Sequence, residues 1–434
     1  MATYIISIIA IILMLICIIA KPVLKIKNKS ISTFYIPIML AAILLIILPL
    51  FDKKELFSQF TSNTSINPLK ILVLFISISM ISITLDESGF FSYLASRFIS
   101  KFKNSQIKLF LSLYLLISII TIFTSNDIVI LTFTPFILYL ARRGNISPIP
   151  YLVLEFIAGN TYSILLEIGN PTNIYLSSAF NISFVEYLRV MILPTFIIGL
   201  SSLLILYLMF RRDLKKEISD FDFYGTEIKD KVILFVSLSH LILVIILMAL
   251  SNIIGFEMWL ITLIFAISLS MFLLIYSIIK KKSYILTTYK RLPYNLIPFI
   301  LSMFVIIFAL SKTTLFTDIN SLISGVGNSY IEGVIYFFSS FISCNIINNI
   351  PMTIAYANIL DGSSLLNIYS VIIASNLGAL LLPVGALAGI MWMKILKDNE
   401  IKYSFFDFFK NGIKIIICLV PQILLSIFII SVIL

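Results

Sequence analysis

The chain has 434 residues, of which 60% are hydrophobic and 12% charged, with a mean hydropathy of +1.09. Soluble domains carry about 25% charged residues, so this composition excludes an ordinary soluble enzyme and calls for a lipid bilayer around most of the chain. The formal charge of +10 does not point to nucleic acid, because the Lys and Arg residues stand in short loops between apolar runs, where they set membrane topology.

The opening Met1-Ala-Thr-Tyr4 lacks the basic start of a secretory signal, and the first apolar run ends at Ala20-Lys21-Pro22 without a small-x-small cleavage site. An uncleaved first span is therefore expected. A spanning helix takes about 20 apolar residues. Uninterrupted candidates run over 4–20, 34–50, 69–85, 185–210, 232–250, 256–279, 296–310 and 415–434, and two broken ones over 150–180 and 365–396. After Asp86-Glu87, the stretch from Ser88 to Lys101 puts Phe90, Phe91, Leu94 and Phe98 on one helical face, which suits a helix lying in the interface.

The apolar regions 107–140 and 330–360 each hold a short arm, a polar tip and a second short arm, and read as re-entrant hairpins. Charge supports this. With Lys21, Lys25, Lys27 and Lys29 in the cytoplasm, a hairpin returns Arg142 and Arg143 to the cytoplasm, whereas a single crossing would strand them outside. Counting onward puts Arg211, Arg212, Lys215, Lys216, Lys280 to Lys282, Lys394 and Lys397 inside, and both termini outside.

The expected fold is an all-α polytopic membrane protein with two inverted-topology repeats, about ten transmembrane helices, two re-entrant hairpins and two broken helices. The first repeat covers 1–210, a cytoplasmic linker 211–231 and the second repeat 232–434. Register supports the duplication: Ala158-Gly-Asn160 and Ala374-Ser-Asn376 are 216 residues apart, as are Ile168-Gly169 and Val384-Gly385.

Non-helical backbone at membrane depth is tolerated only inside protein or along a watery cavity, so every break points at a cavity. The first hairpin offers Ser125, Asn126 and Asp127, and the second Asn345, Asn348 and Asn349. The broken spans add Glu167, Gly169, Asn170, Thr172 and Asn173, then Asn376, Gly378 and Gly385. Ser125 equally suits a helix cap. Asp127 is the first choice for a coupling residue, since a neutral cap would serve without the cost of charge in lipid. In the second tip, Asn349 is expected at the place that Asp127 holds in the first. Glu167 is a second coupling candidate, either in the cavity or reaching the outer interface. Glu155 is expected to snorkel towards the cytoplasm, His240 to pack without a charged partner, and Cys344 to act as a small apolar filler.

No zinc, redox or other cofactor motif is present, and Cys17, Cys344 and Cys418 stand too far apart for a metal site. The implied coupling ion is Na+ or H+. One His and no second intramembrane Asp exclude an intramembrane hydrolase. Without a Walker A loop the chain is not expected to hydrolyse ATP, which leaves an ATPase subunit open as a separate partner.

Five stretches carry a resemblance: Leu85-Asp-Glu-Ser-Gly-Phe-Phe91, Ser125-Asn-Asp127, Ile168-Gly-Asn-Pro-Thr-Asn173, Asn348-Asn-Ile-Pro351, and Asn376-Leu-Gly378 with Pro383-Val-Gly-Ala-Leu-Ala388 and Trp392. Together and in order, they resemble the ion transporter superfamily. Within it, the chain looks like the arsenite-efflux permeases and their anion-permease relatives, although Gly-Asn-Pro-Thr-Asn is more like sodium/proton antiporters. Glu167 departs from the family, where Pro commonly precedes this Ile-Gly. The resemblance implies a scaffold and a transport domain, a substrate site between hairpin tips and broken helices, elevator-like movement, a homodimer and a bacterial inner-membrane location. The expected function is secondary transport of a small inorganic solute or anion coupled to protons or sodium, with a sodium/proton antiporter as the alternative.

Overall fold

The computed structural model describes residues 1–20, 23–26, 29–63, 67–102, 105–218, 227–324 and 326–434. The charges Lys21, Lys27 and Lys103, and the middle of the linker at 219–226, lie outside the described residues. Eight helices are long and apolar enough to cross a membrane, among the described residues. Six of the segments are Pro68–Glu87, Phe184–Phe210, Lys231–Ala249, Met258–Lys280, Tyr284–Ser311, which is interrupted after Arg291 and resumes at Leu296, and Phe405–Ile433, and two are the leading arms of hairpins, Gln106–Phe123 and Ser329–Ile347. Shorter apolar helices at 2–18 and 35–47 complete the first repeat. The last helix begins at Phe405, ten residues before the expected start, because Ser404 and Asp407 form a capping box there.

The element order repeats. The helices Ala2–Ala20, Tyr35–Ile47, Pro68–Glu87 and Phe90–Phe102 are followed by a hairpin, a broken helix and the long span Phe184–Phe210. In the second half Lys231–Ala249, Met258–Lys280, Leu296–Ser311 and Leu315–Ser324 are followed in the same way, ending on Phe405–Ile433. The two broken helices keep a constant offset: 149–162 and 171–179 match 365–377 and 387–398. A segment read as a plain basic loop holds a small two-stranded antiparallel hairpin, Val23–Ile26 paired with Lys29–Ser32.

Cross-links at the helix ends reveal the hairpin topology. Gln106, at the start of the first hairpin, donates to the Lys216 carbonyl at 3.0 Å and accepts from the Tyr151 hydroxyl at 3.0 Å. Residues 106, 151 and 216 therefore share one face, which we call the basic face, and segment 106–148 enters and leaves through it. Arg142 reaches the Asn399 carbonyl there at 3.2 Å. The second hairpin is tied on the opposite face, where the Tyr336 hydroxyl bridges Asn320 at 2.9 Å and Ser363 at 3.3 Å. The repeats are thus inverted with respect to each other.

Aromatic edges join the first and second halves of the chain, Phe34 on Phe299 at 5.2 Å, Phe51 on Phe308 and Phe60 on Phe304 both at 5.3 Å. At the basic face the turn after Pro68–Glu87 fastens two other segments. Arg291 donates to Glu87 at 2.5 Å and Asp86 at 2.6 Å, and the Ser88 carbonyl accepts the Lys229 N–H at 2.9 Å. Gly89 turns there at φ +85, against the Lys229 backbone, a conformation that suits glycine. Of the expected interfacial face, Phe91 is buried and Phe90 and Leu94 half-buried; the side chain of Phe98 lies outside the described residues. His240 bonds the Val236 carbonyl and Ser268, with no acidic partner among the described residues.

Candidate functional site

Each hairpin tip is a helix start. Ser125 caps Asn126–Gly144, its hydroxyl accepting the Ile128 N–H at 3.4 Å, and Asn348 caps Asn349–Ile359, its side chain accepting the Ile350 N–H at 3.3 Å. Register then pairs Asn126 with Asn349 and Asp127 with Ile350. This corrects the expectation that Asn349 stands where Asp127 does, since capping aligns the tips one residue differently from their polar runs.

The asparagines face the breaks. Asn126 donates to the Asn160 side-chain oxygen at 3.0 Å, and its own oxygen accepts the Asp127 N–H at 2.9 Å. Asn349 donates to the Ser375 carbonyl at 3.3 Å and its Oδ1 has no partner. Asn348 donates to the Val384 carbonyl at 2.8 Å. Half-buried Asn345 donates back to Phe341 at 2.9 Å, leaving its Oδ1 unpartnered.

Asn376 joins the two breaks. Its Oδ1 accepts from Ser163 at 2.8 Å and Asn170 at 2.9 Å, and its amide donates to Asn173 at 2.7 Å and the Ile372 carbonyl at 2.9 Å. Asn173 in turn donates to the Ser163 and Leu166 carbonyls, and Thr172 bonds the Ser375 hydroxyl at 2.9 Å. All these side chains are buried. The glycines serve close approach: a Cβ on Gly169 would stand 2.3 Å from the Ser163 carbonyl, one on Gly385 2.8 Å from the Gly378 carbonyl, and one on Gly378 2.7 Å from the Cβ of Cys344. Cys344 is buried against Gly378, with its thiol 3.7 Å from the Ala374 carbonyl.

A cavity of about 340 Å³ opens beside this network towards the basic face. Ser125 and Asp127 form its inner end, Phe75, Ser79 and Ile83 one wall, and Arg291, Lys394 and Asp398 its mouth. Adjoining the cavity at Phe75 is a small, mostly apolar constriction of about 10 Å³ lined by Ile71, Phe75, Pro171, Thr172, Tyr175, Ile300, Ile350, Thr353 and Ile354, room for a single water at most. Beyond it, a vestibule of about 180 Å³ on the opposite face is lined by Lys70, Ile71, Ser177, Ser178, Asn181, Glu257 and Trp259. Phe75 borders both cavity and constriction, and Ile71 both constriction and vestibule. One helix, Pro68–Glu87, therefore borders all three spaces.

Two carboxyl groups lie elsewhere than expected. Glu155 does not snorkel: it is fully buried and both oxygens accept from Thr134, at 2.9 and 3.0 Å. Packing of the hairpin's second arm over the broken helix closes the route to the basic face. Glu167 is also buried, but it does not line the cavity and has no hydrogen-bond partner on either oxygen.

Sequence reasoning did not select Asn160, Ser163, Ser375 or Arg291 as site residues. Asn160 and Ser375 lay within the matched repeat stretches, a usable signal; for Arg291 there was none, because its partners are more than 200 residues away.

The sequence pattern of a family described as citrate transporter matches residues 15–368. The arsenical pump membrane proteins of Yersinia enterocolitica and Escherichia coli (strain K12) are each 26% identical to the chain, over 358 and 361 residues. Each alignment covers 78% of this chain and 81% of the relative. The match covers both hairpin tips and the first break, and the eight apolar helices among the described residues make the chain a multi-pass membrane protein. The chain belongs to the citrate transporter family.

Proposed function

We propose that the chain is a secondary active transporter that exchanges arsenite, in its neutral trihydroxy form, for protons bound at Asp127. The single observation that carries this reading is the character of the inner end of the cavity: a hydroxyl and one carboxyl, backed by amides and hydroxyls, with its nearest arginine held by two carboxylates. A tricarboxylate would need several cations to offset its charge, whereas a small neutral polyhydroxy solute needs alternating donors and acceptors. The arsenical pump relatives support the same solute class.

In this reading Ser125, Asn126 and Asp127 receive the solute with the Gly169 to Asn173 run, and Asn345, Asn348, Asn349, Asn376, Gly378 and Gly385 complete the opposite wall. The basic face lies in the cytoplasm, in keeping with the positive-inside rule, and the termini outside. Hairpins and broken helices move together along Pro68–Glu87 and Leu296–Ser311, carrying the cavity past the constriction in an elevator-like step.

The test is transport in reconstituted vesicles with arsenite, citrate, sulfate and sodium under imposed proton and sodium gradients. Arsenite movement driven by a proton gradient, and lost in Asp127→Asn, is the expected result. Coupled, pH-dependent transport that survives Asp127→Asn would sink the assignment. Sodium movement driven by protons without arsenite would establish the sodium/proton antiporter instead.

A further inference from the structure

Glu167 is 1% exposed and both its oxygens lack partners. The Tyr369 hydroxyl, from the second repeat, is close enough to interact with its charge and is likewise unpartnered and buried. The other titratable groups around this pair are Tyr187, whose hydroxyl is committed to the Ile164 carbonyl at 3.0 Å, and Glu186, which acts on Tyr369. Among the described residues no Lys, Arg or His forms an ion pair with Glu167. Orphaned buried polar groups of this kind mark a place where something is held that the packing alone does not supply, and a lone buried carboxylate is costly to keep charged.

Access comes from one side. The Ser177 hydroxyl is near enough to the Glu167 carboxyl to act on it without meeting it in a hydrogen bond, donates to the Ile174 carbonyl at 3.2 Å, and lines the vestibule on the opposite face. Asp127, by contrast, lines the cavity open to the basic face, which shares no lining residue with the vestibule; the small constriction borders both, at Phe75 and at Ile71.

We propose that Glu167, with Tyr369, is a second proton-binding site, loaded from the opposite-face vestibule through Ser177 while Asp127 exchanges with the basic-face cavity. A proton from vestibule water passes to the Ser177 hydroxyl as that hydroxyl passes its own to a Glu167 oxygen; the carboxylate becomes a carboxylic acid, and release reverses the same O–H exchanges. Because Glu167 begins the turn that carries Gly169 and Asn170, its charge bears directly on the break that meets Asn376. The proposal rests on the proton-coupled reading above for its use, but not for its detection.

Infrared difference spectroscopy of the full chain in lipid nanodiscs, titrated with acid and base, reads the carboxylic-acid band directly. Glu167→Gln is expected to remove a protonated-carboxyl band that Asp127→Asn leaves in place. Tyr369→Phe should shift that band, and Ser177→Ala should slow its hydrogen–deuterium exchange; both keep the carboxyl if Glu167→Gln folds poorly. In vesicles, Glu167→Gln should lower the number of protons moved per solute. An unchanged spectrum in Glu167→Gln, or unchanged exchange in Ser177→Ala, overturns the proposal. Failure of the Asp127 reading would appear separately, as coupled transport surviving Asp127→Asn.

Discussion

At the first hairpin tip Ser125 has ordinary extended backbone, φ −144 and ψ 156, and the carboxyl of Asp127 lines an open cavity. At the second tip Asn348 is bent to φ 75 and ψ 154, a region that costs a non-glycine residue about 1–3 kcal/mol. There the residue matched to Asp127 is Ile350, which lines the closed constriction. Equivalent places in the two repeats thus border different spaces, a carboxyl on the open cavity and an apolar side chain on the small constriction.

The largest expected effect comes from removing the joint between the halves. Asn376→Leu keeps the branched shape but strips the bonds to Ser163, Asn170, Asn173 and the Ile372 carbonyl, and should destabilise the protein by about 4 kcal/mol at about 1 kcal/mol per lost bond. Thermal unfolding in detergent measures it; a shift no larger than that of a surface substitution would show that the two breaks do not depend on each other.

Ile350→Asp makes the tips alike. A carboxyl at the constriction should cost about 3 kcal/mol and admit water, so that proteoliposomes bearing it leak protons without solute. Tight vesicles with normal coupled transport would mean that the constriction is not the seal.

The smallest effect separates strain from bonding at the second tip. Asn348→Ala loses the cap and the Val384 bond while keeping the bent backbone, a cost of about 2 kcal/mol. Asn348→Gly loses the same bonds but adopts the bend freely, and should be about 1 kcal/mol more stable than the alanine variant. Equal unfolding temperatures for the two would show that the bend is not costly here.

Much of this was legible in the chain itself. Hydrophobic length set the spans, and Gly169-Asn-Pro171 and Pro383-Val-Gly385 at constant spacing marked the breaks, because backbone that cannot continue a helix announces itself locally. Charges at Arg142 and Arg143 required the first hairpin to return, since topology follows loop charge. These are properties of short windows, which sequence carries in full.

Tertiary structure decided the rest. That Asn376 would bond Asn170 across 206 residues, that Glu155 would be covered by Thr134, and that Arg291 would hold Asp86 and Glu87 depend on which helix faces pack together. A polar residue at membrane depth must find some partner, and the sequence determined that need; packing alone chose the partner, and so separated Asp127, open to a cavity, from Glu167, enclosed behind it.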